Sequence, residues 1–144
     1  MKIEELLTKS YTPISHFNVA SIIKGKNGVA YGVNVENHSM KDGICAEGAA
    51  LSNYFANGYK KEDIEEIIVI NNSDIVATPC FLCRQYISDL VDENVVVRCF
   101  DKNKNEEKYL VKDLCVHPFK ESNYGGVDAW WIKKYIRKRY ILFI

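Results

Sequence analysis

Apolar and polar residues follow one another along the chain in short blocks that predict helices interspersed with strands. Residues 2–9 repeat apolar side chains at helical spacing and predict a short first helix. Two strand-like runs at residues 19–23 and 29–35 flank a glycine-containing turn at residues 24–28, which predicts a β-hairpin. The chain therefore begins with a helix followed by two antiparallel strands.

The middle of the chain alternates predicted helices with predicted strands. Small and apolar residues predict a buried helix over residues 45–57, and a proline opens a second helix over residues 79–91. Between these helices, residues 67–70 form an unbroken apolar run that is typical of a strand covered on both faces. Further strands are predicted at residues 95–100 and, more weakly, 108–110. Strands alternating with helices indicate an α/β layer fold with a mixed sheet.

Length and composition indicate one ordinary globular domain with a distinct end. The chain has 144 residues, of which 47% are hydrophobic and 26% charged, which excludes disordered, collagen-like and coiled-coil classes. The 19 basic and 19 acidic residues balance, so no overall field attracts nucleic acid. Residues 128–144 carry five basic side chains against Asp128 alone, interleaved with aromatic residues. We therefore divide the chain into a domain at 1–127 and a basic-aromatic tail at 128–144.

The tail is predicted to be a helix that packs on its own subunit or on a neighbouring one. The alternatives are a contact with a membrane surface or with nucleic acid. No apolar run reaches 18 residues, and the N-terminus is acidic, unlike a signal peptide. The expected compartment is therefore the cytoplasm, where thiols stay reduced. In that setting, five cysteines that include a Cys-x-x-Cys pair indicate metal or redox chemistry before disulfides.

Three of these cysteines have the spacing of a metal site. Cys80 and Cys83 lie three residues apart, so in a helix they project from one face. Pro79 places them in the first turn, where the positive end of the helix favours thiolates. Cys45 opens the preceding helix in the same way. Three thiolates make a soft ligand set that suits Zn²⁺ and leave a fourth position open.

Glu47 follows the first of these ligands by two residues and is the candidate for proton transfer. At this position a carboxylate reaches a water at the open site better than it reaches the metal itself. The combination of both motifs is the pattern of zinc nucleobase deaminases. A structural zinc site would need a fourth ligand from Cys99, Cys115 or a histidine. A redox pair would leave Cys45 and Glu47 without a role.

Residues 6–119 resemble the small, homotetrameric, zinc-dependent cytidine deaminases. Besides the two zinc motifs, the segment Pro-Ile-Ser-His-Phe-Asn-Val at 13–19 resembles the family's P-Y-S-x-F-x-V. The segment Gly-Val-Asn-Val-Glu-Asn at 32–37 resembles G-x-N-x-E-N, and the stretch at 114–119 resembles L-L-P-x-x-F. The sequence Cys83-Arg84-Gln85 continues the second zinc motif as the family does.

This resemblance implies a three-layer α/β/α sandwich around a five-stranded mixed sheet. It implies that Cys45, Cys80 and Cys83 bind Zn²⁺ and that Glu47 shuttles protons. Asn34 and Glu36 would hold ribose hydroxyls, Phe17 would pack beside the pyrimidine, and Phe119 would close the pocket, across a subunit boundary in a tetramer. The residues assigned to the nucleoside substrate are Phe17, Asn34, Glu36, Ala46 and Phe119. The implied reaction converts cytidine and 2′-deoxycytidine to uridine and 2′-deoxyuridine with release of ammonia, as in pyrimidine salvage.

One departure from the family pattern concerns charge. Gly48 stands where the tetrameric enzymes usually carry arginine, and three thiolates leave a zinc site at −1. Arg84 or the helix ends are the candidates to offset that charge.

Two other functions are weighed against the cytidine deaminase prediction. The first is deamination of a cytosine-nucleoside antibiotic such as blasticidin S, which is weakened because Asn34 and Glu36 suit a ribose. The second is a non-enzymatic, zinc-stabilised protein. No nucleic-acid partner is expected.

Overall fold

The computed structural model describes residues 2–39 and 42–120, which build a five-stranded mixed sheet with helices on both faces. The elements in chain order are α1 (Ile3–Leu7), β1 (Val19–Gly25), β2 (Gly28–Val33), α2 (Ala46–Ala56), β3 (Ile64–Asn71), α3 (Phe81–Leu90), β4 (Val96–Phe100), β5 (Glu106–Leu110) and α4 (Val111–Leu114), with a 3-10 turn at Lys61–Asp63. The strand order is β2-β1-β3-β4-β5, with β3 and β4 parallel and the other neighbours antiparallel. The predicted α/β fold and five-stranded mixed sheet are confirmed.

The central strand β3 is covered on both faces, as its unbroken apolar run predicts. Ile67 and Val69 belong to the core shared with α2 and α3. Ile68 and Ile70 belong to a second core that contains Leu6 of α1. Because successive side chains of a strand point to opposite faces, one run fills both cores. The three layers are therefore α2 and α3, the sheet, and α1.

A glycine on β2 lets the first turn of α2 lie directly on the sheet. A Cβ atom at Gly32 would come within 2.3 Å of both the Ala46 carbonyl oxygen and the Ala50 backbone nitrogen. The absence of a side chain is therefore required for this approach. The contact fixes the start of α2, where Cys45 is the N-cap residue.

The second face of the sheet carries a row of ion pairs across three strands. Glu66 on β3 pairs with Lys24 on β1 at 2.8 Å and with Arg98 on β4 at 3.2 Å. Desolvation opposes ionisation of Glu66, but the hydrogen bonds from Lys24 and Arg98 outweigh it and hold the pKa of this carboxyl below its ordinary value of 4.5. The row ties together strands that are far apart in sequence.

The predicted second strand of the hairpin is two residues too long. β2 ends at Val33, and residue 35 forms only isolated bridges, to Tyr11 and Ile44. The strand ends because the Asn34 side chain enters the ladder, accepting a hydrogen bond from the Val19 amide at 2.8 Å.

Helix α4 and the 3-10 turn were not predicted. The predicted tail at 128–144 lies outside the described residues, and no helix in the described part is long and apolar enough to span a bilayer.

Candidate metal centre and active site

The fold brings the three predicted zinc ligands to one point. Cys45 is the N-cap residue of α2, Cys80 is the N-cap residue of α3, and Cys83 lies in the first turn of α3. Their sulfur atoms all lie within 4.8 Å of one another, and the Sγ atoms of Cys45 and Cys80 are 3.7 Å apart. Two helix N-termini therefore converge on one thiol cluster.

The spacing of the sulfur atoms fits a bound zinc ion. Tetrahedral zinc with Zn–S bonds of about 2.3 Å requires sulfur atoms about 3.8 Å apart. Within residues 2–39 and 42–120 the cluster has three members, and Cys99 and Cys115 are instead buried in the hydrophobic core. Three thiolates at this spacing suit Zn²⁺ and leave room for a fourth ligand that the described residues do not supply.

The pKa values of Cys45 and Cys83 are shifted in opposite directions within the cluster. Hydrogen bonds from Cys83 and then from Cys80 lower the pKa of Cys45 from 9.0 to about 6, against the opposing effect of burial. The same hydrogen bond to Cys45, together with burial, raises the pKa of Cys83. Cys45 therefore ionises before Cys83, and hydrogen bonds from its two neighbours stabilise its thiolate. A pre-formed thiolate favours metal binding because thiol ligands must lose their protons to bind.

Glu47 lies beside the cluster and is shielded from solvent. Its side chain is 4% exposed, and its Oε2 atom is 3.5 Å from the Cys83 sulfur. Burial raises the pKa of Glu47 above its ordinary value. A buried carboxyl group with a raised pKa beside a thiol cluster is suited to accept and return protons.

A cavity of about 190 Å³ opens beside the cluster and Glu47. It contains three of the five predicted substrate residues, namely Phe17, Asn34 and Ala46. The remaining lining residues are Val19, Cys45, Glu47, Val69, Asn71, Ala77, Thr78 and Cys80. Val19, Val69, Asn71, Ala77 and Thr78 were not singled out from the sequence. The signal that could have placed such residues at the site is topological. Strand β3 ends at Asn71 beside the parallel strand β4, and ligand sites form at the carboxyl ends of parallel strands.

Asn34 and Glu36 both form hydrogen bonds to the segment that carries Phe17. Asn34 donates to the Phe17 carbonyl oxygen at 2.8 Å, and Glu36 accepts hydrogen bonds from the backbone amides of Ile14 and Ser15, each at 3.1 Å. The Ser15 hydroxyl also donates to Glu36. Asn34 lines the cavity, whereas Glu36 is not among its lining residues. In this chain both side chains therefore order the wall of the cavity.

Phe119 lies on the outer side of α3 and not in this cavity. Its backbone nitrogen and oxygen both bond to the Gln85 side chain, at 3.0 Å and 2.7 Å, and the residue is 53% exposed. The assignment of Phe119 to pocket closure across a subunit boundary stays a prediction.

The guanidinium of Arg84 supports the loop that leads into Cys80. It donates to the Pro79 carbonyl at 2.7 Å and to the Thr78 hydroxyl at 2.6 Å, and it lies over the Phe81 ring. Among the described residues, a Cβ atom at Gly48 would meet nothing within 4 Å. The Arg84 guanidinium thus holds the loop, and the described part of the chain leaves open space at the position where the family usually carries arginine.

Comparison with known proteins agrees with this site. A family model described as "Cytidine and deoxycytidylate deaminase zinc-binding region" matches residues 1–99. The chain is 28% identical over 121 residues to a cytidine deaminase of Mycoplasma genitalium, covering 84% of this chain and 92% of the relative. It is 30% identical over 114 residues to a cytidine deaminase of Mycoplasma pneumoniae, covering 78% of this chain and 85% of the relative.

A solved structure shows the same fold. The structure of a cytidine deaminase from Burkholderia pseudomallei aligns with a TM-score of 0.77 and 29% identity, covering 81% of this chain and 93% of that one. The family model includes both zinc motifs, since Cys45, Glu47, Cys80 and Cys83 all lie within residues 1–99. Together with the thiol cluster and the buried carboxyl group, these matches establish that the chain belongs to the cytidine and deoxycytidylate deaminase family.

Proposed function

We propose that this protein is a zinc-dependent hydrolase that deaminates cytidine and 2′-deoxycytidine to uridine and 2′-deoxyuridine, releasing ammonia. The observation that carries the proposal is the buried Glu47 carboxyl group between a three-thiol cluster and a cavity of about 190 Å³. A site of this kind offers a metal position, a proton carrier and space for one small ring. Membership of the deaminase family supports the same reaction.

Cys45, Cys80 and Cys83 would hold Zn²⁺, and the bound ion would supply a Lewis acid that makes water a stronger nucleophile at neutral pH. The water oxygen bonds to C4 of the pyrimidine while Glu47 accepts one proton from the water. Glu47 then delivers that proton to N3. Glu47 then transfers the second proton of the added water to the exocyclic nitrogen. The C4–N bond breaks and ammonia leaves, so that the oxygen remains as the carbonyl of the uracil ring. Because burial raises the pKa of Glu47, its carboxyl group can hold each proton before passing it on.

The remaining substrate contacts are assigned by position. Phe17 and Ala46 line the cavity and would contact the base, and Asn34, which also lines it, would bind the ribose hydroxyls. Glu36 would join Asn34 at the ribose by turning its carboxylate from the Ile14 and Ser15 amides toward the cavity. Asn34 keeps capacity for this role, because its amide group has two hydrogens and the Phe17 carbonyl takes one of them.

We also assign a homotetramer, in which Phe119 reaches a neighbouring site, a cytoplasmic location and a role in pyrimidine salvage. An exposed apolar surface beside the thiol cluster supports assembly, since Leu82 is 73% exposed and Ile44 is 55% exposed. The division into a catalytic domain at 1–127 and a tail at 128–144 rests on composition. Nucleic-acid binding is not part of the proposal, because the chain carries no net charge.

The test follows the ultraviolet change of cytidine incubated with purified protein, in parallel with a sample treated with a zinc chelator. We expect conversion to uridine in the first sample and its loss in the second, with recovery when zinc is restored. A folded, zinc-loaded protein that leaves both cytidine and 2′-deoxycytidine unchanged would overturn the proposal. Conversion of blasticidin S by that protein would then identify an antibiotic deaminase, and zinc bound through four sulfurs would identify a structural site.

A further inference from the structure

We propose that Asn72 is a positioning residue of the active site, which fixes the backbone on both sides of Phe17 so that the ring keeps its place in the substrate cavity. This inference rests on the proposed function, because its effect is expressed in the binding of a nucleoside. Asn72 is not among the residues that line the cavity, so it acts through the segment it holds.

Three hydrogen bonds connect Asn72 to the residues that flank Phe17. Its side-chain Nδ2 donates to the His16 carbonyl oxygen at 2.9 Å, and its Oδ1 accepts from the Asn18 amide at 3.0 Å. Its own backbone amide donates to the Asn18 carbonyl oxygen at 3.2 Å. The two side-chain bonds lie immediately before and after Phe17, so one amide group fixes both ends of the residue that carries the ring.

The segment needs such support because its local conformation is unfavourable. His16 has φ 56°, in the left-handed region that non-glycine residues rarely adopt. The Phe17 amide donates to the Ser15 hydroxyl at 3.0 Å, and the Phe17 carbonyl accepts from Asn34 at 2.8 Å. These contacts leave the His16 carbonyl and the Asn18 amide to Asn72. Without the Asn72 side chain, these two backbone groups lose their hydrogen-bond partner, and fewer contacts keep His16 in its strained conformation.

The location of Asn72 links this segment to the metal centre. It directly follows β3 and begins the loop that ends at Cys80, the N-cap residue of α3. The neighbouring Asn71 does line the cavity, but both of its side-chain groups bond within the fold: Nδ2 to the Ile75 and Phe100 carbonyls, and Oδ1 to Ser73. The two adjacent asparagines therefore have different tasks, one in the wall of the cavity and one supporting Phe17.

Substitution of Asn72 should affect substrate binding more than chemistry. Asn72→Ala removes two hydrogen bonds to the Phe17 segment. It leaves α2 and α3 unchanged, and these helices and their N-caps position Glu47 and the three cysteines. We expect KM for cytidine to rise about tenfold and kcat to stay within about threefold. Asn72→Asp keeps the acceptor for the Asn18 amide but loses the donor to His16, so its KM should be intermediate.

A double-mutant cycle with Phe17→Ala separates positioning from a general structural effect. If Asn72 acts through the Phe17 ring, Asn72→Ala raises KM in the wild-type background and has little effect once the ring is absent. The matched control is Asn27→Ala, which removes a side-chain bond to Asp63 at 2.8 Å in the turn at the far end of β1. This control should leave both KM and kcat unchanged.

Hydrogen exchange gives a readout that does not depend on catalysis. In Asn72→Ala the amides of residues 14–18 should exchange faster, while those of α2 and α3 stay protected. A wild-type KM in Asn72→Ala, an equal KM increase in the Phe17→Ala background, or unchanged exchange at residues 14–18 would each overturn the inference. If the wild-type protein leaves cytidine unchanged, the proposed function fails instead, and the exchange data still decide whether Asn72 fixes the segment.

Discussion

Replacing Gly32 by alanine should lift α2 from the sheet and disturb the metal centre. The added Cβ atom would lie 2.3 Å from the Ala46 carbonyl oxygen and 2.3 Å from the Ala50 nitrogen, both of which are backbone atoms. Ordinary contacts require roughly 1 Å more, so the first turn of α2 must move by about that distance. Strain of this kind costs about 1–3 kcal/mol in the free energy of unfolding.

The same movement displaces Cys45 and Glu47, which lie on either side of Ala46. A shift of about 1 Å in a catalytic group lowers turnover by roughly 100-fold. The assay combines urea unfolding of the zinc-free protein, zinc analysis of the loaded protein, and kcat/KM for cytidine. The first measurement isolates the packing strain from any loss of metal.

Gly48→Ala is the matched control, because it adds the same methyl group to the same helix. Its Cβ atom would meet none of residues 2–39 and 42–120 within 4 Å, so it should stabilise α2 by up to about 1 kcal/mol and preserve activity. The reasoning is refuted if Gly32→Ala unfolds at the same urea concentration as wild type and retains its kcat/KM. In that case the position of α2 would not depend on its direct contact with β2.

Three further substitutions test separate parts of the account. Glu47→Gln should keep one zinc per chain and lower kcat at least about 100-fold; near-wild-type turnover would remove Glu47 from proton transfer. Cys80→Ser should lose zinc by elemental analysis, whereas Cys99→Ser, at a buried sulfur outside the cluster, should retain it, and equal zinc contents would contradict the ligand assignment. Glu66→Gln should cost about 1 kcal/mol in the free energy of unfolding at pH 7. Because the pKa of Glu66 is lowered in the folded state, its contribution is present above pH 4.5 and is lost as the pH falls through the folded value, so urea unfolding of wild type and variant should converge in acid.

Local patterns in the sequence were enough to predict the five strands, helices α1 to α3 and the metal cluster, but not α4 or the 3-10 turn. Cys80 and Cys83 share a helix face by spacing alone, and Pro79 marks the start of that helix. The unbroken apolar run at 67–70 is likewise a local signal for a strand buried on both faces, and the structure confirms it.

Contacts between distant segments could not be predicted in the same way. The sequence placed Asn34 and Glu36 on one face of a strand, but β2 ends at Val33 and both side chains turn to the segment before β1. Likewise, the sequence did not indicate that Arg84, the candidate to offset the thiolate charge, bonds to the loop at Thr78 and Pro79. Its role in offsetting that charge stays a prediction. Such partners depend on which loops meet in three dimensions, which neither spacing nor charge reveals.

The most direct test of the central claim is a zinc titration of metal-free protein with cytidine turnover as the readout. If the three-thiol cluster holds the catalytic metal, activity should rise in proportion to added Zn²⁺ and level off at one equivalent per chain. Under the same conditions Cys80→Ser should stay inactive. Turnover that is present without zinc, or absent at saturation in a folded protein, would contradict the account.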